Sequence, residues 1–347
     1  MKNTMAKEKS VRLGINGFGR IGRAAFKLAL EKSEIEVVGI NDLGSPEVLA
    51  GLLKYDSNYG RYNKQVSFDE KNVIVEGVKY PVFAEKDPAA LPWKPLSVDV
   101  VIESTGRFTD SEKAGAHLKA GARKVIISAP AKDEGATPTI VLGVNHADYK
   151  GESIISNASC TTNCIAPVVK VLEDTFGIEK IMMTTIHSYT AEQNLVDGPP
   201  PGGHSNDMRR ARAAAVNIVP TTTGAAISAT QAIPQLRGKF NGLSIRVPSP
   251  VGSLSDFSAL VKMNITKEQV NQAFVDASLL KQYKGILTVT NDPIVSSDIV
   301  GNPASAIVDL SLTQVVDNNF VKIIAWYDNE FGYSNRLIEQ VIMVGSY

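Results

Sequence analysis

Two rhythms of apolar positions divide the chain. In the first half, short unbroken apolar runs are separated by helix-period segments. Val11 to Ile15 predicts a buried strand, Arg20 to Leu30 a helix, and Ile35 to Ile40 a second strand ending in Asn41-Asp42. Val98 to Glu103 and Lys124 to Pro130 repeat the buried run, with a helix capped by Asp110 or Ser111 and running to Ala120 between them. Ile140-Val141-Leu142 and Ile154-Ile155 read as the last strands of this set. The rhythm loosens in one place. Pro46 to Leu53 reads as a helix, and Val66–Phe68, Val73–Val75 and Lys79–Phe83 read as short antiparallel pieces with turns at Asp69-Glu70 and Glu76-Gly77. Buried runs alternating with helices predict a doubly wound, mostly parallel sheet.

The second half changes pattern. A helix over Thr161 to Thr175 leads to a β-branched strand over Thr184 to Thr190. From Val247 the signal is antiparallel: Leu254–Met263, Ile286–Thr290, Ala306–Leu310, Leu312–Val316 and Val321–Trp326, interrupted by a helix over Lys267–Leu280. A closing helix runs to Val344. The 347 residues suit two domains.

Composition narrows the classes without choosing among them. Lys+Arg and Asp+Glu both number 36, so net charge is zero and neither strong nucleic-acid binding nor an anionic membrane partner is expected. No run reaches the ~18 apolar residues of a membrane span. Met1 to Ser10 is polar and lysine-rich, unlike a signal peptide, and Met5 is an alternative start. Two cysteines make no disulfide framework, which favours a reducing compartment and a cytoplasmic location. Gly198-Pro199-Pro200-Pro201-Gly202-Gly203 is the one odd patch.

The first chemistry is nucleotide binding. Gly17-x-Gly19-x-x-Gly22 lies between a strand and a helix, and Asp42 stands 20 residues beyond Gly22 at the end of the next strand. The first glycine makes the turn, the second admits a pyrophosphate, and the third lets helix and strand close up; the phosphates rest on the helix N-terminus. A glycine-rich turn without a ligand is the structural alternative. An acid at Asp42 accepts from a ribose 2′-hydroxyl and repels a 2′-phosphate, which favours NAD over NADP. Ser104-Thr105-Gly106 and Ser128 end later strands with small polar residues suited to lining a crevice.

The second chemistry is a thiol. Ser159-Cys160-Thr161-Thr162-Asn163-Cys164 sits at a strand-to-helix turn, where helix N–H groups and the dipole lower a thiol pKa. Free cysteines are also common as buried filler. Of four histidines, His117 falls in a predicted surface helix, His146 in a loop and His204 in the Pro/Gly patch; only His187 ends a strand among hydroxyls. Arg209-Arg210-Ala211-Arg212 reads either as a solvated face or as an anion-binding arm. Thr222-Thr223-Gly224-Ala225 opens a helix, another anion seat. Arg246 lies inside an apolar strand and must be paired. No metal site is expected, since Cys160-x-x-x-Cys164 has no nearby histidine.

In order along residues 11 to 344, these pieces resemble phosphorylating glyceraldehyde-3-phosphate dehydrogenases of type I. The matching motifs are Asn16 to Arg23, Ile40 to Asp42, Glu103 to Gly106, Ser159 to Cys164, His187 to Thr190, Arg209 to Arg212, Thr222 to Ala225, Arg246 to Pro248 and Trp326 to Glu330. The resemblance implies a Rossmann-type NAD-binding domain over 1–159, completed by the C-terminal helix at about 328–347, and an α+β catalytic domain over 160–327. It implies that Cys160 is the nucleophile and His187 its base, and that Cys164 packs. Glyceraldehyde 3-phosphate would become 1,3-bisphosphoglycerate, a glycolytic step, through a hemithioacetal and a thioester opened by inorganic phosphate. Thr190, Arg210 and Arg246 would hold the substrate phosphate, and Ser159, Thr161, Thr223 and Gly224 the inorganic one. For NAD, Arg20 and Ile21 would offer backbone N–H groups to the pyrophosphate, Asn329 would hold the carboxamide, and Tyr333 would pack beside the ring. Lys86 replaces an arginine often found beside the adenine, and Phe331 a common tryptophan. A homotetramer is implied, although the Pro/Gly-rich insertion at 194–207 departs from the family pattern. An erythrose-4-phosphate dehydrogenase, an aldehyde dehydrogenase releasing free acid, and a non-enzymatic nucleotide- or RNA-binding paralogue remain alternatives.

Overall fold

A computed structural model describes residues 10–133, 135–200 and 207–347. Residues 1–9 with the alternative start at Met5, His204, and the second half of the Pro/Gly patch, 201–203, lie outside the described residues. In chain order the elements are β1 Val11–Asn16, α1 Arg20–Ala29, β2 Ile35–Asn41, α2 Pro46–Lys54, β3 Tyr55–Asp56, β4 Gly60–Arg61, β5 Val66–Phe68, β6 Asn72–Val75 and β7 Val78–Phe83. There follow β8 Val100–Glu103, α3 Ser111–Lys119, β9 Lys124–Ile127, β10 Ile154–Ser156, α4 Cys160–Phe176, β11 Ile178–Ser188, β12 Val219–Thr221, α5 Ala225–Ala232 and β13 Phe240–Val247. The chain ends with β14 Ser253–Val261, α6 Lys267–Leu279, β15 Leu287–Thr290, β16 Ala306–Asp309, β17 Gln314–Val316, β18 Phe320–Tyr327 and α7 Phe331–Gly345.

Two compact units emerge. The first comprises Met1–Ser128, Lys150–Ile155 and Leu337–Tyr347; the second comprises Ala129–Tyr149 and Ser156–Arg336. The first unit carries a sheet of order β10-β9-β8-β1-β2-β7-β6-β5. β1 pairs in parallel with β2 and β8, β8 with β9, and β2 with β7. β8 is buried along its whole length, as a strand covered on both faces must be, and this is why it reads as an unbroken apolar run. The β5–β6–β7 meander is antiparallel.

The second unit is built on a sheet of order β12-β13-β11-β14-β18-β16-β15, with β17 on β18. Only β11–β13 and β15–β16 are parallel in it. β14 alternates buried and half-buried residues along its nine positions, the signature of a strand with one face on the core. That core packs α4 residues Ile165, Val168, Val169 and Leu172 against Phe257, Ile323 and Ala325 of the sheet.

Two local expectations change. Ile140-Val141-Leu142 is buried but is not a strand; only the adjacent Thr139 makes an isolated bridge, to Ser156. The Asn145 side chain takes the place of a neighbouring strand. Its Oδ1 accepts from Val141 N at 2.7 Å and its Nδ2 donates to Thr139 O at 2.9 Å. The α3 histidine is not on the surface either. His117 is fully buried, between Trp93 and Glu103, which supply both of its ring nitrogens with partners.

Candidate active site

The reactive thiol is placed by a strained turn. β10 ends at Ser156, and Ala158 then adopts φ +56°, a left-handed conformation that costs a residue with a Cβ roughly 1–2 kcal/mol. Three contacts hold it there. Ala158 N donates to Ser156 Oγ at 2.9 Å, Tyr333 Oη donates to Ala158 O at 3.0 Å, and Asn163 Nδ2 donates to Asn157 O at 2.8 Å. Ser159 caps α4 by accepting from Thr162 N at 3.0 Å. Cys160 is thus the first residue of the helix, on its positive end.

His187 arrives from the end of β11. Its Nδ1 lies 2.7 Å from Ser188 O, which can only accept, and 3.3 Å from Arg246 Nη1, which can only donate; the shorter contact favours the proton on Nδ1, with the Nε2 lone pair facing Cys160 Sγ at 3.4 Å. Burial, with the Arg246 guanidinium next in weight, pulls its pKa down from 6.5 to about 3. Burial also pushes the Cys160 thiol up, opposed by Arg246, by the Thr161 hydroxyl and by the helix N–H groups. The resting pair is therefore a thiol facing a neutral base, with charges nearby that favour the thiolate once the proton moves. Cys164 lies fully buried in the core, its pKa raised by burial. Both cysteines are free.

Behind the pair lie the arginines. The β11–β13 register sets His187 beside Arg246, whose Nη1 donates to Thr190 Oγ1 at 3.1 Å and to Ser188 O at 3.2 Å. Arg246 Nη2 and Arg210 Nη1 both reach one oxygen of Glu192, the former at 2.9 Å. Arg210 also donates through Nε to Asp207 Oδ2 and Thr221 Oγ1, each at 2.9 Å. The Nε of Arg246 is buried without a partner, a donor left over for an anion. On the other side, Thr162 Oγ1 lies 3.5 Å from Ala225 O, which brings the start of α5, with Thr223 and Gly224, against the start of α4. Thr161 is tied through Tyr327 to Thr185, at 3.0 and 2.8 Å. Sequence reading required a partner for Arg246 but missed Glu192 and Asp207; an acid two residues past Thr190, before an arginine cluster, was the available signal.

In the first unit, the glycine turn has the shape a dinucleotide requires. Gly17 has φ +93°, and a Cβ on it would lie 2.7 Å from the Ser104 carbonyl carbon. A Cβ on Gly22 would lie 2.0 Å from Gly17 O, whereas one on Gly19 would meet nothing within 4 Å, the open space a phosphate needs. α1 has no side-chain cap on Gly19 and no acid in its first turn, so its positive end faces the glycine turn. Asp42 accepts from Phe18 N at 2.7 Å and Gly44 N at 2.9 Å, which fixes its carboxylate at the end of β2. Ser104 Oγ donates to Gly17 O at 2.8 Å, Ser128 N donates to Glu103 O at 2.9 Å, Gly106 turns with φ +73°, and Lys86 is exposed.

In the second unit, Asn329 Oδ1 accepts from Gly252 N at 3.0 Å and from Ser253 Oγ at 3.1 Å, which leaves Nδ2 to donate. Tyr333 is buried, its hydroxyl spent on the Ala158 turn.

Known families match both stretches. The family described as glyceraldehyde 3-phosphate dehydrogenase, NAD binding domain, matches residues 11–111, and the corresponding C-terminal domain matches residues 159–329. The chain belongs to the glyceraldehyde-3-phosphate dehydrogenase family. A glyceraldehyde-3-phosphate dehydrogenase of Streptomyces coelicolor is 51% identical over 340 residues, 97% of this chain and 99% of that relative. One of Borreliella burgdorferi is 53% identical over 336 residues (95% and 98%), and one of Geobacillus stearothermophilus 50% over 339 (97% and 99%). The two family matches divide the chain much as the chemistry does, with the glycine turn in the NAD-binding match and Cys160, His187 and Arg246 in the C-terminal one. Among the described residues no helix is long and apolar enough to cross a membrane.

Proposed function

We propose that the chain oxidises glyceraldehyde 3-phosphate with NAD and inorganic phosphate to 1,3-bisphosphoglycerate, a step of glycolysis. The observation that carries this is the 3.4 Å approach of Cys160 Sγ to an imidazole whose lone pair is aimed at it, with buried Arg210 and half-buried Arg246 alongside. Cys160 gives its proton to His187 Nε2 and attacks the aldehyde carbon, forming a hemithioacetal. The backbone N–H of Cys160, at the start of α4, stabilises the developing oxyanion. The imidazolium returns that proton to the oxyanion, giving the hemithioacetal hydroxyl, and Nε2 takes it back as the carbon loses hydride, leaving a thioester. NAD, when bound, supplies the hydride acceptor. Inorganic phosphate opens the thioester and returns the thiol.

Thr190, Arg210 and Arg246 hold the substrate phosphate; Ser159, Thr161, Thr223 and Gly224 line the seat of the incoming one. The Gly17–Gly22 turn, Asp42, Lys86, Ser104–Gly106, Ser128, Asn329 and Tyr333 serve NAD. The open side of Gly19 and the uncapped start of α1 support that assignment. The assembly is a homotetramer in the cytoplasm. Exposed Leu195, Val196, Met208, Val216 and Ile218 on one segment support self-association, and two free cysteines support a reducing compartment. The test is NADH formation from glyceraldehyde 3-phosphate with and without phosphate, in wild type and Cys160→Ser. Turnover independent of phosphate would point to release of free acid and sink the proposal.

A further inference from the structure

Beneath the nucleotide turn of the first unit lies a hydrogen-bonded chain of buried side chains. Trp93 Nε1, which can only donate, reaches His117 Nδ1 at 2.9 Å. The proton of His117 is therefore on Nε2, which donates to Glu103 Oε2 at 3.0 Å. The same carboxylate oxygen accepts from Asn16 Nδ2 at 2.5 Å. The other, Oε1, accepts from Thr105 N at 2.9 Å and from the Thr105 hydroxyl. Asn16 Oδ1 accepts from Asn41 Nδ2 at 2.7 Å, and the Asn41 amide closes on the backbone of Glu85 with two bonds of 2.9 Å.

The positions of these residues are what give the chain meaning. Asn16 ends β1, Asn41 ends β2, Glu103 ends β8, and Glu85 follows β7 by two residues. Each immediately precedes a residue assigned to NAD: Gly17, Asp42, Ser104 and Lys86. One buried polar network thus ties together the four strand ends that carry the dinucleotide rim. A buried carboxylate in a sheet core is costly unless every lone pair is engaged. Here His117 supplies the one partner of Glu103 that comes from outside the rim, and Trp93 locks its tautomer.

We infer that His117 is a positioning residue for the cofactor. Through Glu103 it holds Asn16 and Thr105, and through Asn16 and Asn41 it sets the spacing of the Gly17, Asp42 and Lys86 segments. This rests on the reading that NAD binds at the Gly17–Gly22 turn.

The test compares His117→Phe, which keeps an aromatic ring and removes both nitrogens, with His117→Gln, which restores an N–H donor. NAD dissociation constants are measured by titration calorimetry well below each melting temperature. The rate of Cys160 alkylation by iodoacetamide reports separately on the second unit. The expected result is NAD binding weakened roughly 10–100-fold in His117→Phe, by analogy with the loss when the hydrogen-bond partner behind a metal ligand is removed. His117→Gln should recover most of that loss, and alkylation should be unchanged in both. A purely structural histidine would lower the melting temperature and leave the NAD dissociation constant alone, and that outcome overturns the inference. If His117→Phe does not fold, Trp93→Phe, which removes the tautomer lock and some buried volume, decides it at temperatures well below its melting point: weaker NAD binding with no change in Cys160 alkylation supports the inference, and wild-type NAD binding overturns it. A wild-type protein that binds no NAD would instead overturn the functional reading beneath it.

Discussion

The two units each bury one histidine completely or nearly so, and the pair are opposite tautomers. His187 spends its Nδ1 proton on the carbonyl of Ser188 and turns a lone pair on Cys160. His117 receives the Trp93 N–H on Nδ1 and turns a proton on Glu103. One is thereby a base facing an acidic proton, the other a donor facing a carboxylate. The difference is set at the nitrogen remote from the partner, by a carbonyl in one case and an indole in the other. Burial alone does not distinguish a reagent from a support; the hydrogen bond behind the ring does.

The sharpest way to break this contrast is at the thiol. Cys160→Ser should lower phosphate-dependent NADH formation by roughly 10⁴-fold or more, because hydroxyl and thiol differ so far in acidity and nucleophilicity. NAD affinity should be preserved. Lost NAD binding in that variant would mean that the thiol turn supports the first unit as well, and the division of labour would fail. Next comes His187→Gln, expected to lower kcat by about 10²–10⁴-fold, the usual worth of a placed base.

The same substitution has a second readout. The imidazole titrates near 6.5 when unfolded and near 3 when folded, so between those values the unfolded chain binds the extra proton. Stability then rises with pH through that window and is lost as pH falls from about 6.5 toward 3. Urea midpoints measured from pH 7 down to 4 should fall less steeply in His187→Gln than in wild type. Equal slopes would show that the ring is not held neutral. The neutral base described here would then be the wrong species.

Much of the first unit was legible because its function is written in contiguous sequence. A strand, three glycines at fixed spacing, a helix and an acid past the next strand specify the turn and its ligand class together. The second unit was harder to read. Cys160 advertises itself by its position at a helix start, but its partners come from the ends of β11 and β13, and sequence spacing carries no trace of that approach. What joined them in sequence was the resemblance of ordered motifs. The two misreadings have different physical origins. His117 reads as a surface residue because a helix of modest length with several polar positions has the pattern of a solvated one. Its partners, Trp93 and Glu103, lie 24 and 14 residues away, and only the folded sheet brings them together. Ile140 to Leu142 looked like a strand because burial and ladder pairing give the same apolar run, and an asparagine side chain can replace the ladder.

A more moderate effect is expected at the end of β2. Asp42→Ala removes the carboxylate fixed by Phe18 N and Gly44 N. It should narrow the preference for NAD over NADP by roughly tenfold, about the 1.4 kcal/mol of one charge-assisted hydrogen bond. Cys160 alkylation should not change. Ratios of kcat/KM for the two cofactors measure the shift, and an unchanged ratio would remove Asp42 from ribose recognition.

The smallest effect tests whether the arginines of the second unit are as ready as its histidine. One oxygen of Glu192 engages both Arg210 and Arg246. A substrate phosphate therefore competes with a carboxylate that the chain itself supplies. Arg210 retains Asp207 when Glu192 is neutralised, but Arg246 has otherwise only the Ser188 carbonyl and the Thr190 hydroxyl. Glu192→Gln should therefore free Arg246 more than Arg210. Glu192 is partly exposed, so the screened interaction is worth at most ~1 kcal/mol. The inhibition constant of sulfate competing with the sugar phosphate should fall by up to about fivefold, with kcat little changed. If sulfate instead binds more weakly, the carboxylate holds the guanidinium groups in their working geometry, and Glu192 belongs with His117 among the residues that position rather than compete.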